Sequence, residues 1–273
     1  MKTKQSGTSA IPPVLQRSRD SHQIIMKRKL LERFIAKYHL NGLVNSAVWT
    51  VGNGTLQVRA MSNDRKMFAG VTLKQCDGCE DAEIGVLETK RLFAVLHAIP
   101  SEDISLEMSR YSWGDVAVLI FADAAITAEY ITTSPKVMDS IPRMKTPPPW
   151  NAAIILDDDF KQWFVRAYSA MEDNEALLKV AMSTRTGKLE VVLHHRERGR
   201  GDSLGRKPET AENKNSVNAP VSFSAKDLKA VLNANREFPN PILNVSELGL
   251  ASISFSEDDL DSEYYLIKID SAA

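Results

Sequence analysis

The feature that most constrains this chain is a pattern that occurs four times: a short apolar run of strand length, an amphipathic helix, then further strand-length runs. Its clearest copy begins at residue 22. Residues 22–26 read as a strand and residues 26–38, MKRKLLERFIAKY, as a helix. Leu30, Leu31, Phe34, Ile35 and Tyr38 recur at helical spacing on one face. Lys29, Arg33 and Lys37 project from the other side, with Arg28 near the boundary. A helix that is apolar on one side and basic on the other suits packing on a sheet while facing an anion. A charged face taken alone is only a solvated face; recurrence gives the pattern its weight. Asn41-Gly42 supplies a stop signal. Strands are expected over 43–51, 54–61 and 67–73, with Asn53-Gly54 as a hairpin turn.

The second copy places a strand at 82–87, a helix at 88–99 that stops at Pro100, and strands at 104–108, 116–121 and 126–132. Residues 134–150 then lose both periods. Three consecutive prolines, Pro147 to Pro149, make this stretch extended and stiff, a connector. The third copy gives a strand at 151–156, a helix at 157–171 and a hairpin from 177–183 and 187–195. Residues 196–215 are rich in Arg, Gly and charge, and read as a long mobile loop. The fourth gives a strand at 217–223, a helix at 225–236 and strands at 241–245, 250–255 and 264–269.

A β-α-β-β-β unit used four times predicts an α+β fold of two similar domains, each holding two units. The expected division is a disordered arm at 1–22, a first domain at 23–133, the connector at 134–150 and a second domain at 151–273. Hydrophobic content of 43% and 25% charge describe a globular protein. No apolar run approaches the roughly 20 residues of a membrane span, and residues 1–20 lack the apolar centre of an export signal. The net charge of −1 excludes a uniformly basic nucleic-acid binder, so any contact with a polyanion must come from segregated charge. Two cysteines, Cys76 and Cys79, fit a reducing cytoplasm.

Other signals carry less. Cys76 and Cys79 have C-x-x-C spacing but no second pair, and read as free thiols in a loop. Asp157, Asp158 and Asp159 open a helix, where carboxylates cap exposed N–H groups and oppose the dipole. His194 and His195 end a strand without an acidic neighbour in sequence. No nucleophile elbow or phosphate-cradling glycine loop is present in the sequence.

The order and spacing of these pieces resemble the two-domain DNA sliding clamps of eukaryotes, archaea and T-even-like phages, over residues 23–270. The best local matches are LQVRAMSNDRKMFAGVTL at 56–73, IGVLETKRLFAVLHAI at 84–99, Ser140-Ile141-Pro142 and YYLIKI at 264–269, which are similar to the corresponding parts of proliferating cell nuclear antigen. The resemblance implies clamp domains with the helices on one face of curved antiparallel sheets. Three subunits would close into a ring, with the helices lining the hole. It implies no catalytic site, metal or cofactor. It implies partners: duplex DNA, a DNA polymerase and a clamp-loading ATPase. The compact size suits a phage-encoded clamp working in the host cytoplasm.

Under this resemblance, phosphates would be met by Arg28, Lys29, Arg33 and Lys37 on the first helix and Lys90 and Arg91 on the second. Lys161 and Arg166 would serve on the third, Lys226 and Lys229 on the fourth. Lys/Arg contacts to phosphates carry no sequence information, which suits sliding. A pocket for partner peptides would be lined by Met61, Phe68, Ile141, Tyr265 and Ile267. Ring closure pairs an edge strand of one subunit with an edge strand of the next. Residues 126–132 match the first edge; the second should lie between His195 and Val217, where strand propensity is low. That gap keeps open a clamp-fold interaction module, monomeric or dimeric, that encircles nothing.

Overall fold

The computed structural model describes residues 15–16, 23–74, 76, 80–138, 141, 146–171, 176–195, 203–215 and 217–270; for 15–16 and 211–215 it describes the backbone only. A two-residue strand, β1 (Leu15–Gln16), comes first. The first unit follows as β2 (Ile24–Lys27), α1 (Arg28–His39), β3 (Ala47–Gly52), β4 (Thr55–Met61) and β5 (Met67–Leu73). The second is β6 (Ala82–Val86), α2 (Thr89–His97), β7 (Asp103–Tyr111), β8 (Val116–Ala122) and β9 (Thr127–Ile131). The third is β10 (Ala152–Ile155), α3 (Asp158–Met171), β11 (Ala176–Met182), β12 (Leu189–His195) and β13 (Ser203–Arg206), with β14 (Thr210–Asn215) in addition. The fourth is β15 (Val221–Ser224), α4 (Ala225–Ala234), β16 (Ile242–Ser246), β17 (Leu250–Ser256) and β18 (Leu260–Ile267).

Local chemistry accounts for the joints. Asn53 and Gly54 both take positive φ, 53° and 69°, as a two-residue hairpin between β3 and β4 requires. Helix α1 ends where Leu40, Asn41 and Gly42 all turn to positive φ. Asp157 caps α3, its carboxylate accepting from the Phe160 N–H at 2.5 Å, so the acidic triplet is a helix start. Ser224 caps α4 by accepting from the Asp227 N–H at 3.2 Å.

Three antiparallel sheets result. The largest has nine strands in the order β14-β10-β16-β17-β18-β5-β4-β3-β6. It is continuous through the chain because β18 pairs with β5, from Leu260 opposite Leu73 to Leu266 opposite Met67. The five-stranded sheet runs β9-β8-β7, with β1 and β2 both on β7; the four-stranded sheet runs β13-β12-β11-β15.

Two buried clusters form the core. One gathers Leu31, Phe34, Ile35, Tyr38, Trp49, Leu92 and Leu119; the other gathers Phe160, Phe164, Leu178, Phe223, Leu228 and Tyr264. Each such side chain contributes roughly 1.5–3 kcal/mol by burial. In the first cluster Phe34, Tyr38 and Trp49 meet edge to face, and the Trp49 indole donates to the Tyr38 hydroxyl at 3.2 Å. The β5–β18 pairing also moves Leu260 into the first cluster and Met67 and Ala69 into the second.

Several expectations change. The stretch 196–215, read as one loop, contains two strands. β13 pairs with β12 and β14 with β10; partner strands supply hydrogen bonds that local propensity does not anticipate. Residues 196–202 lie outside the described residues. Leu15–Gln16, within the arm read as disordered, pair with Tyr111 and Arg110; residues 1–14 and 17–22 lie outside the described residues. The connector opens with a single 3-10 turn, Pro135–Val137. Cys76, read as a free thiol, is disulfide-bonded; Cys79 lies outside the described residues.

Candidate nucleic-acid and peptide interfaces

Helix α1 packs beside α2 and reaches α4. Neither α1 nor α2 has an acidic residue in its first turn. The first turns carry Arg28 and Lys29, and Lys90 and Arg91, instead. Cations at a helix N-terminus oppose the macrodipole, so these positions cost a little stability and concentrate positive potential. Lys29, Lys90, Arg91, Arg166 and Lys226 are exposed. Lys29 stands 3.8 Å from Glu102 with both side chains well exposed, a weak pair.

The other basic candidates have partners within the chain. Arg28 donates to the Ser101 carbonyl at 3.0 Å and to Glu32 at 2.5 Å, its side chain only 16% exposed. Arg33 is exposed but ion-paired with Glu257 and 3.6 Å from Glu237. Lys161 donates to the Phe238 carbonyl at 3.0 Å, and the Lys229 ammonium sits 4.4 Å from the centre of the Tyr168 ring.

Lys37 is a correction. It is 1% exposed, and its ammonium donates to Asn235 at 2.9 Å and Glu237 at 2.6 Å beside the Phe238 ring. Burial opposes ionisation of Glu237, but the Lys37 hydrogen bond, a backbone hydrogen bond and the charges of Lys37 and Arg33 together outweigh it and lower the carboxyl pKa. An ammonium so enclosed meets no external phosphate. Arg206, read from sequence as one of the arginines of the 196–215 loop that could touch DNA, lies on β13, donates to the Asp159 carbonyl at 3.0 Å and shares a cleft with Arg166 and Trp163.

The apolar candidates converge on the central sheet. Met61 of β4 is opposite Phe68 of β5, and Phe68 is opposite Tyr265 of β18. Directly opposed residues project from the same sheet face. Ile267 follows Tyr265 by two positions and shares that face. The alternate residues Ala60, Met67, Ala69, Tyr264 and Leu266 are buried beneath. All four outward residues are partly exposed. Ile141 of the connector lines a cavity of about 220 Å³ together with Met61, Val48 and Met138. The Tyr265 hydroxyl donates to Glu263 at 2.5 Å; burial and that carboxylate raise its pKa.

Among the described residues, two of the sheet edges are β9 and β13. β9 ends the five-stranded sheet with Ile131 exposed, and β13 ends the four-stranded sheet with Leu204 exposed.

No protein-family model matches the sequence, and no curated protein matches it. Solved structures do match. Proliferating cellular nuclear antigen from Entamoeba histolytica superposes with a TM-score of 0.65 at 12% identity, over 91% of this chain and 98% of that one. PCNA of A. fulgidus, solved with the C-terminal region of FEN-1 bound, gives 0.67 at 17%, over 92% and 99%. The chain matched in the PCNA2–PCNA3 complex from Sulfolobus tokodaii gives 0.61 at 8%, over 90% and 98%. This is the sliding-clamp fold. The match spans nearly the whole of each neighbour. Among the described residues no helix is long and apolar enough to cross a membrane, and no group of three or more His, Cys, Asp or Glu is placed to hold a metal ion.

Proposed function

We propose that this protein is a DNA sliding clamp: a non-catalytic homotrimeric ring, built from domains at 23–133 and 151–273, that surrounds duplex DNA and tethers a polymerase. The observation that carries the reading is the likeness to clamps along nearly their whole length. Exposed Lys29, Lys90, Arg91, Arg166 and Lys226 would meet phosphates without reading sequence. Arg33 would join them by exchanging its carboxylate partners for phosphate. β9 of one subunit would pair with β13 of the next. The reading in which the chain encircles nothing was motivated by a missing second edge, and β13 supplies one. A clamp-loading ATPase would open the ring, and the row of Met61, Phe68, Tyr265 and Ile267, with Ile141, would seat partner peptides. The clamp neighbour solved with a FEN-1 segment supports peptide docking as a mode for this fold. A phage origin and a host-cytoplasm location complete the proposal.

The test is retention on bead-bound circular duplex. Protein that survives a salt wash on circles and is released when a restriction enzyme opens them is topologically linked. Equal retention before and after cutting overturns encirclement.

A further inference from the structure

Between the β4–β5 turn and the first turn of α4 lies a cavity of about 330 Å³. Asp64 and Lys66 line it from the turn; Ser224, Lys226 and Asp227 line it from α4. Asp227 is 2% exposed, and its Oδ2 is buried with no hydrogen-bond partner among the described residues. A carboxylate oxygen left this way is costly. Capping does not explain it, because the Ser224 hydroxyl already caps α4. The nearby cations do not claim it either. Lys66 lies 3.5 Å from Asp64, and Lys226 is exposed. Burial, then repulsion from Asp64, raises the Asp227 carboxyl to about 6, which leaves it largely anionic at neutral pH.

We propose that this cavity accepts a basic side chain, a guanidinium or an ammonium, from a docked partner segment, with Asp227 as its counter-charge. The source of that side chain rests on the peptide-docking reading above. The cavity shares Ser62 and Asn63 with the smaller cavity beside Met61 and Ile141, so a segment crossing the apolar row passes its mouth. A metal ion fits worse: it needs roughly six or more oxygen ligands, and the lining offers two carboxylates. A neutral donor would satisfy Oδ2 but leave the buried charge unbalanced.

The probe is agmatine, an alkyl guanidinium with an ammonium at its other end, titrated into the full chain while backbone amide resonances are followed. Above the Asp227 pKa, saturable shifts are expected at Asn63, Ser224 and Asp227. They should vanish in Asp227→Asn, weaken in Asp64→Asn and be absent with butylurea, a neutral analogue. Should Asp227→Asn not fold, the wild-type titration across pH about 6 still decides, since binding must fall as Asp227 takes its proton. Absence of saturable shifts at the cavity, or binding indifferent to Asp227→Asn and to that pH step, overturns the proposal. Agmatine binding needs neither ring nor DNA, so its failure leaves the clamp reading intact, and failure of retention on circles leaves the cavity testable.

Discussion

Lys37 and Glu237, 200 residues apart in sequence, meet through a 2.6 Å hydrogen bond where α1 touches the end of α4. The Lys37 ammonium is enclosed, while the Glu237 side chain is 37% exposed. Tyr264 adds to the junction: its hydroxyl donates to the Lys37 carbonyl at 2.9 Å and accepts from Asn235 at 3.0 Å. Burial pushes that phenol up to about 12. The junction ties the first unit of the chain to the last.

Lys37→Ala is therefore a stability variant. Removing one partner of a buried pair strands the other, and Glu237 keeps some water, so the expected loss is about 2–3 kcal/mol in urea unfolding. The Glu237 carboxyl has a lowered pKa, so its share of stability is present above its ordinary 4.5 and disappears as pH falls through the folded value. Lys37→Ala should lose that acid dependence. Unaltered stability with lost DNA retention would return Lys37 to the DNA surface.

Charge reversal of Lys29, Lys90 and Arg91 together should do the opposite. These residues are exposed, so unfolding should shift by no more than about 0.5 kcal/mol per site. Retention on circular duplex should weaken, and its salt dependence should become shallower as phosphate contacts are lost. An unchanged salt slope would remove these residues from the DNA-facing set.

At the edges, Ile131→Lys and Leu204→Lys place charge on the two exposed apolar residues of β9 and β13. Each should dissociate the ring while leaving the folded subunit intact, read as a fall in molar mass at unchanged circular dichroism. A mass unaffected by either change would exclude these strands from the interface.

Asp227 gives the chain an acid response of unusual sign. Its folded pKa of about 6 lies above the ordinary 3.8, so between these values the folded state binds more protons than the unfolded state. The contribution is fully present below about pH 4 and disappears as pH rises through about 6. Asp227→Asn should remove this window and stabilise the protein at neutral pH, on the order of 1–3 kcal/mol. A less stable variant at neutral pH would mean that Asp227 has a partner.

Phe68→Ala and Tyr265→Ala probe the apolar row. Both side chains are only partly buried, so the stability loss should stay below the roughly 3–5 kcal/mol of a core aromatic. Capture of the polymerase partner should fall much further. Equal losses in stability and capture would make the row part of the core.

Much of the fold was legible because its signals are local. The apolar stripe of α1 did bury Leu31, Phe34, Ile35 and Tyr38, and Asn53-Gly54 did turn β3 into β4. Lys37 was misread because what covers it, Asn235 to Phe238, arrives from 200 residues away. β13 was missed because a polar strand with one apolar residue is held by β12, not by propensity. Arg28 was readable, since Glu32 follows at i+4, the spacing of a helical ion pair. The Asp227 cavity had no signal, because a carboxylate in a helix first turn looks like ordinary capping.

The most direct test of the central claim is molar mass by light scattering across a concentration series. The account predicts a stable species near three times the 30.3 kDa chain mass, reduced by Ile131→Lys and Leu204→Lys. A 30.3 kDa monomer at every concentration would contradict a self-closing ring.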